Sequence, residues 1–89
     1  VLGVLAGEVW IRPHLDLPTR SLATIAGVTA LGRPRALELN IEMALQNGAT
    51  RTEIQESILQ MAFYGGFPCA WEGLQIAHEV FQKDGSESP

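Results

Sequence analysis

Apolar residues recur at helical rather than strand spacing along most of this chain. Asp16 can cap a helix, with Pro18 in its first turn. The apolar positions that follow, Leu17, Leu22, Ile25, Ala26, Val28 and Leu31, cover more than one stripe, which predicts a largely buried helix ended by Gly32. Pro34 opens a second helix, with Leu37, Ile41, Ala44 and Leu45 at i, i+4, i+7 and i+8, and Asn47-Gly48 stops it. Thr50 and Glu53 have the spacing of a capping box; Ile54, Ile58, Leu59, Met61 and Ala62 continue as a helical stripe up to Gly65-Gly66. Pro68 begins a last helix with Ala70, Leu74, Ala77 and Phe81 along one side. No segment reads as a strand. The pattern predicts an all-α domain of four to five helices over residues 1–82, with antiparallel neighbours across its short connections. Residues 83–89 read as a polar, disordered tail.

Composition changes that picture in one respect. With 89 residues, 46% of them hydrophobic, the chain has more apolar side chains than one small core needs. A monomer near this size buries only roughly 60–65% of the surface its unfolded chain exposes. The excess points to association of copies, since no apolar run approaches a membrane span. A formal net charge of −4, with the six Lys and Arg scattered, argues against nucleic acid as a partner. One cysteine, Cys69, allows no intrachain disulfide, and the first residues lack the pattern of a signal peptide, so a cytoplasmic location is the default. A start at Val1-Leu2-Gly3, without Met, is what a chain with residues missing upstream would show.

The candidate chemistry concentrates in residues 7–20, where Trp10, Arg12, His14 and Arg20 stand between two prolines and beside Glu8 and Asp16. Guanidinium donors match the two oxygens of a carboxylate, so Arg12 and Arg20 suit an anionic ligand. On spacing alone, surface pairs of Arg12 with Glu8 and of Arg20 with Asp16 are the simpler account. His14 can act as an acid or base near neutral pH, although a solvated loop histidine is the commoner case. Trp10 fits a pocket wall or a core anchor. Cys69 near a helix start could ionise, but a small packed side chain is the usual role of a free cysteine. Phosphate-binding glycine loops, Cys-x-x-Cys and metal-type His/Cys spacings are all missing from the sequence.

Four motifs occur in order: Trp10-x-Arg12-Pro13-x-Leu15-Asp16, Thr19-Arg20-Ser21-Leu22, Asn47-Gly48-x-Thr50-x-x-Glu53-Ile54 and Tyr64-x-Gly66-x-Pro68-x-Ala70. As an ordered set, spanning Gly7 to Phe81, they resemble the carboxymuconolactone decarboxylase family of the alkylhydroperoxidase (AhpD-like) superfamily. The resemblance implies an all-helical fold whose subunits assemble into trimers or hexamers. It also implies a reaction without cofactor or metal, in which a carboxylated lactone loses CO2 and carbon is reprotonated. On that basis Trp10, Arg12, Arg20 and Tyr64 are substrate-binding candidates, and the ligand is a small carboxylate or lactone.

Two departures from the family pattern bear on mechanism. Asn40 stands where typical members carry His, and it cannot exchange a proton near neutral pH. His14 stands where they usually have Gly. The catalytic candidates are therefore His14 and Asn40. The Cys-x-x-Cys-x-x-x-His relay of the peroxidase-like relatives would fall on Arg33, Ala36 and Asn40, which argues against peroxidase chemistry. The sequence leaves three readings: a decarboxylase or proton-transfer enzyme on a carboxylated or enolisable ring compound, a divergent isomerase or cyclase of natural-product chemistry, or an oligomeric binding protein that has lost the reaction.

Overall fold

A computed structural model describes residues 7–84; within them the chain is helical and forms no strand. Residues 7–10 are helical, then a loop leads into α1 (Leu17–Ala30), α2 (Pro34–Gln46), α3 (Arg51–Gln60), a 3₁₀ turn (Met61–Phe63) and α4 (Phe67–Lys83). The expected punctuation is present. Asp16 caps α1 by accepting from the Thr19 amide at 2.9 Å. Thr50 and Glu53 form both hydrogen bonds of the capping box, at 3.0 and 2.9 Å. Pro18, Pro34 and Pro68 lie in first turns, where their missing N–H has no helical partner to lose. The last helix starts one residue before Pro68, capped by Gly66 with φ 99°. Lys83 belongs to α4 and pairs with Glu38 at 3.3 Å; residues 85–89 of the expected tail, and residues 1–6 of the expected domain, lie outside the described residues.

The core is a cluster of Ile25, Leu37, Ile41, Ala44, Ala49, Ile54, Ile58, Ala77, Val80 and Phe81. Around it α1 packs on α2 and α3, and α4 closes the other side against the same two helices. Consecutive helices are therefore not always neighbours: α2 and α3, joined by four residues, touch least. The reason is local. Gly48, with φ 100°, turns the chain inward, Ala49 is buried in the core, and α3 leaves across the bundle rather than back along α2. Asn47, the stop residue of α2, also donates its side-chain amide to the buried hydroxyl of Ser21 at 3.0 Å, tying α2 to α1.

Two expectations need correction. The first helix is not largely buried: α1 buries only Ser21, Ile25 and Thr29, a single stripe at i, i+4 and i+8, and leaves Leu17 and Leu31 exposed. One helix face meets the small core; Leu22 and Val28 pack half-buried against its edge, while Leu17 and Leu31 stay outside it. In the third segment Leu59 is exposed, and Met61 and Ala62 fall in the 3₁₀ turn, where the tighter winding takes them off the stripe set by Ile54 and Ile58.

Large apolar residues are left exposed from Val9 to Trp71, and the aromatic ones fall within one stretch. Residues 57–71 contain no Asp, Glu, Lys, Arg or His, and they carry Phe63, Tyr64, Phe67 and Trp71 at 80%, 75%, 66% and 57% exposure. Phe67 and Trp71 stack on the surface, with ring centroids 6.2 Å apart.

Candidate active site

The loop between residues 10 and 17 is folded back over the start of α1, and its geometry follows from a few side chains. Hydrogen bonds from the Thr19 hydroxyl and amide hold the Asp16 carboxyl below its ordinary value. Arg20, one turn into α1, reaches back toward the loop. Its Nε donates to the carbonyl of Leu15 at 3.2 Å and its Nη2 to the carbonyl of Arg12 at 3.1 Å. The expected partner on spacing was the Asp16 carboxylate; in the structure the two charged groups serve the backbone instead, one as cap and one as strap.

Beside this loop lies an open recess of about 170 Å³ lined by Val9, Trp10, Leu15, Arg20, Ala23 and Thr24. One tryptophan, three aliphatic residues, one threonine and one arginine border it. Thr24 donates its hydroxyl to the Arg20 carbonyl at 3.0 Å. An aromatic wall beside a cation with unused N–H donors suits a small, flat, anionic molecule.

Of the six candidate residues, Trp10 and Arg20 share this recess. Arg12 and His14 are exposed on the loop beside it and do not line it; the Arg12 carbonyl accepts from Arg20. Asn40, half-buried on α2, donates its amide to the Ala36 carbonyl at 2.7 Å, within its own helix. Tyr64 is exposed after the 3₁₀ turn. Neither Asn40 nor Tyr64 lines the recess. Ala23 and Thr24 escaped the sequence reading, although they sit three and four residues after Arg20 and so share its helix face.

Larger, open grooves lie elsewhere among the described residues, and the two along α2 and α4 carry none of the six. One, about 520 Å³, runs along α2 past Arg35, Leu39 and Glu42; the other, about 430 Å³, runs along α4 past Trp71, His78 and Glu79. Among the described residues no group of three or more His, Cys, Asp or Glu could hold a metal ion. No described helix is long and apolar enough to cross a membrane.

These features define a small all-α domain with a cationic, aromatic-walled recess at the start of its first long helix. Residues 1–79 match the family described as "Carboxymuconolactone decarboxylase family", and the chain belongs to that family. It is 43% identical over 76 residues to a 4-carboxymuconolactone decarboxylase of Acinetobacter baylyi, covering 85% of this chain and 57% of that protein. It is 37% identical over 76 residues to a nitrosuccinic acid decarboxylase of Metarhizium robertsii, covering 83% and 52%. The chain thus spans little more than half the length of these relatives. Both are decarboxylases by name, which supports a carboxy-lyase.

Proposed function

We propose that this chain is a cofactor-independent carboxy-lyase for a small acid whose carboxylate neighbours an electron-withdrawing group. The observation that carries the reading is the shared recess of Trp10 and Arg20, in a family with two decarboxylase relatives named for chemically different acids. A carboxylated lactone and nitrosuccinic acid have one useful property in common. Each can take up the electron pair left when the carbon–carboxylate bond breaks, the first in its conjugated lactone, the second in its nitro group. Carbon then needs a proton, so the balance is substrate plus one proton to product plus CO2.

In this reading Trp10 covers the flat part of the substrate, and Arg20 supplies the positive charge of the recess. Arg12 meets a carboxylate at its mouth. His14, on the loop beside the recess, delivers the proton. Asn40 has its amide occupied within α2 and is given no proton step. Copies associate through the charge-free aromatic face of residues 57–71. Its four exposed aromatics offer roughly 500 Å², at the upper end for an unpartnered surface and over half of the roughly 800 Å² that one side of a standard interface buries. A trimer or hexamer built on that face would bring Tyr64 into an interface.

The test is CO2 release from 4-carboxymuconolactone and from nitrosuccinate by the purified protein. His14→Ala is expected to lower the rate roughly 10²–10⁴-fold, and His78→Ala and Cys69→Ala to change it little. No CO2 from either acid would sink the reading; equal, small effects from all three variants would remove His14 from the mechanism.

A further inference from the structure

Arg20 is placed to do more than supply charge. A guanidinium pairs with a carboxylate through one of two forks, the Nε–Nη2 edge or the Nη1–Nη2 end. Here the Nε–Nη2 edge is already occupied. It spans two carbonyls of the preceding loop, those of Leu15 and Arg12, at 3.2 and 3.1 Å. The contacts reach back five and eight residues, so one side chain closes the whole loop onto α1. The loop's other ties in the described structure are at its ends: the Arg12 amide to the Val9 carbonyl at 3.2 Å, the Arg20 amide to the Asp16 carbonyl at 3.0 Å, and the Asp16 cap on Thr19. Between them stands His14, exposed.

We propose that Arg20 is a positioning residue: its Nε–Nη2 edge straps the 12–15 loop onto α1 beside the recess and thereby fixes Arg12 and His14. The strap needs two N–H donors in a rigid fork. Lysine keeps the charge and the apolar stem but has a single point of donation, so it cannot bridge both carbonyls. A residue needed only for its charge would tolerate lysine; a strap does not.

The loop-ordering part stands on geometry alone, and the kinetic part rests on the decarboxylase reading. Two measurements on Arg20→Lys and Arg20→Ala therefore go together. The first is the backbone order parameter of His14, Leu15 and Asp16 by nitrogen-15 relaxation, with α2 and α4 amides as the control for folding. Both variants are expected to drop from the rigid value of about 0.85 to below about 0.6 in the loop alone. The second is CO2 release. Arg20→Lys is expected to lose about 10²-fold in kcat/KM, close to Arg20→Ala, since a displaced loop misplaces its groups. In an Arg12→Ala, His14→Ala background the same change should cost much less, because both groups that the strap positions are already gone. A loop that stays ordered in Arg20→Lys overturns the strap. Order lost with turnover kept, or full additivity with the Arg12→Ala, His14→Ala pair, overturns its part in the reaction. If the parent chain releases no CO2, the decarboxylase reading fails, and the order parameters still decide the strap. Should Arg20→Ala fail to fold, Arg20→Lys carries both measurements.

Discussion

Replacing Gly65 by alanine puts a methyl carbon where the last turn of α1 already stands. A Cβ built there lies 2.6 Å from Cα, 2.8 Å from the carbonyl oxygen and 3.1 Å from the carbonyl carbon of Ala30. Carbon atoms rest about 3.5–4.0 Å apart, so the segment after the 3₁₀ turn and α1 would have to separate by about 1 Å. The obstacle is helical backbone, which has no rotamer to change. Overpacking costs roughly 1–3 kcal/mol, and Gly65→Ala belongs at the top of that range. Gly73 tests the same idea more gently. Its added Cβ would meet the Ile58 Cγ2 at 2.8 Å and the Leu37 Cδ2 and Thr29 Cγ2 at 3.3 Å, all side-chain atoms. Alanine also returns about 1 kcal/mol of helix propensity there, so the net loss should be near 1 kcal/mol. Gly27, on α1, has nothing within 4 Å of its would-be Cβ, so Gly27→Ala should stabilise by about 0.5–1 kcal/mol. In thermal melts followed by circular dichroism each kcal/mol moves Tm by roughly 4–8 °C in a domain of this size. The expected order is Gly27→Ala above the parent, then Gly73→Ala, then Gly65→Ala well below. A Gly65→Ala protein as stable as the parent would refute the close approach of that turn to α1.

Thr29 offers a prediction of opposite sign: its buried hydroxyl oxygen has no hydrogen-bond partner among the described residues, so Thr29→Val, of similar shape, should stabilise by about 1 kcal/mol in urea melts, and a loss of that size would show an unseen partner. Asp16 has a carboxyl value lowered in the fold from 3.8, so its charged form contributes stability above that pH, and the contribution is lost as pH falls through the folded value. Asn caps comparably but does not titrate, so the advantage of the parent over Asp16→Asn should shrink on acidification below about 3.8; an advantage constant with pH would refute this. Phe63→Asp and Trp71→Asp, which place charge in the exposed aromatic face, should shift the sedimentation profile toward monomer; variants that remain assembled would clear that face of any role in association.

Local signals made much of this protein legible before any fold was known. The capping residues Asp16 and Thr50, the prolines of three first turns and the stop at Asn47-Gly48 act within a few residues of themselves, and each is found as read. Apolar spacing served where the helix had one face to hide, as in Leu37, Ile41 and Ala44. It misled where apolar residues exceeded that face, as in α1, because periodicity cannot tell the core from an exposed apolar surface. The site was half legible. Ordered motifs pointed to Trp10 and Arg20, which share a recess, but gave no way to see that Asn40 turns back on its own helix.

The sequence by itself determined the all-α class, the punctuation of each helix and the family, since these depend on near neighbours along the chain or on ordered motifs. Tertiary structure alone decided which helices touch, why α3 crosses away from α2, and what Arg20 bonds to. Those outcomes depend on how a few buried residues, Ala49 and Ile25 among them, fill one small core, and on where that leaves backbone carbonyls in reach of a guanidinium.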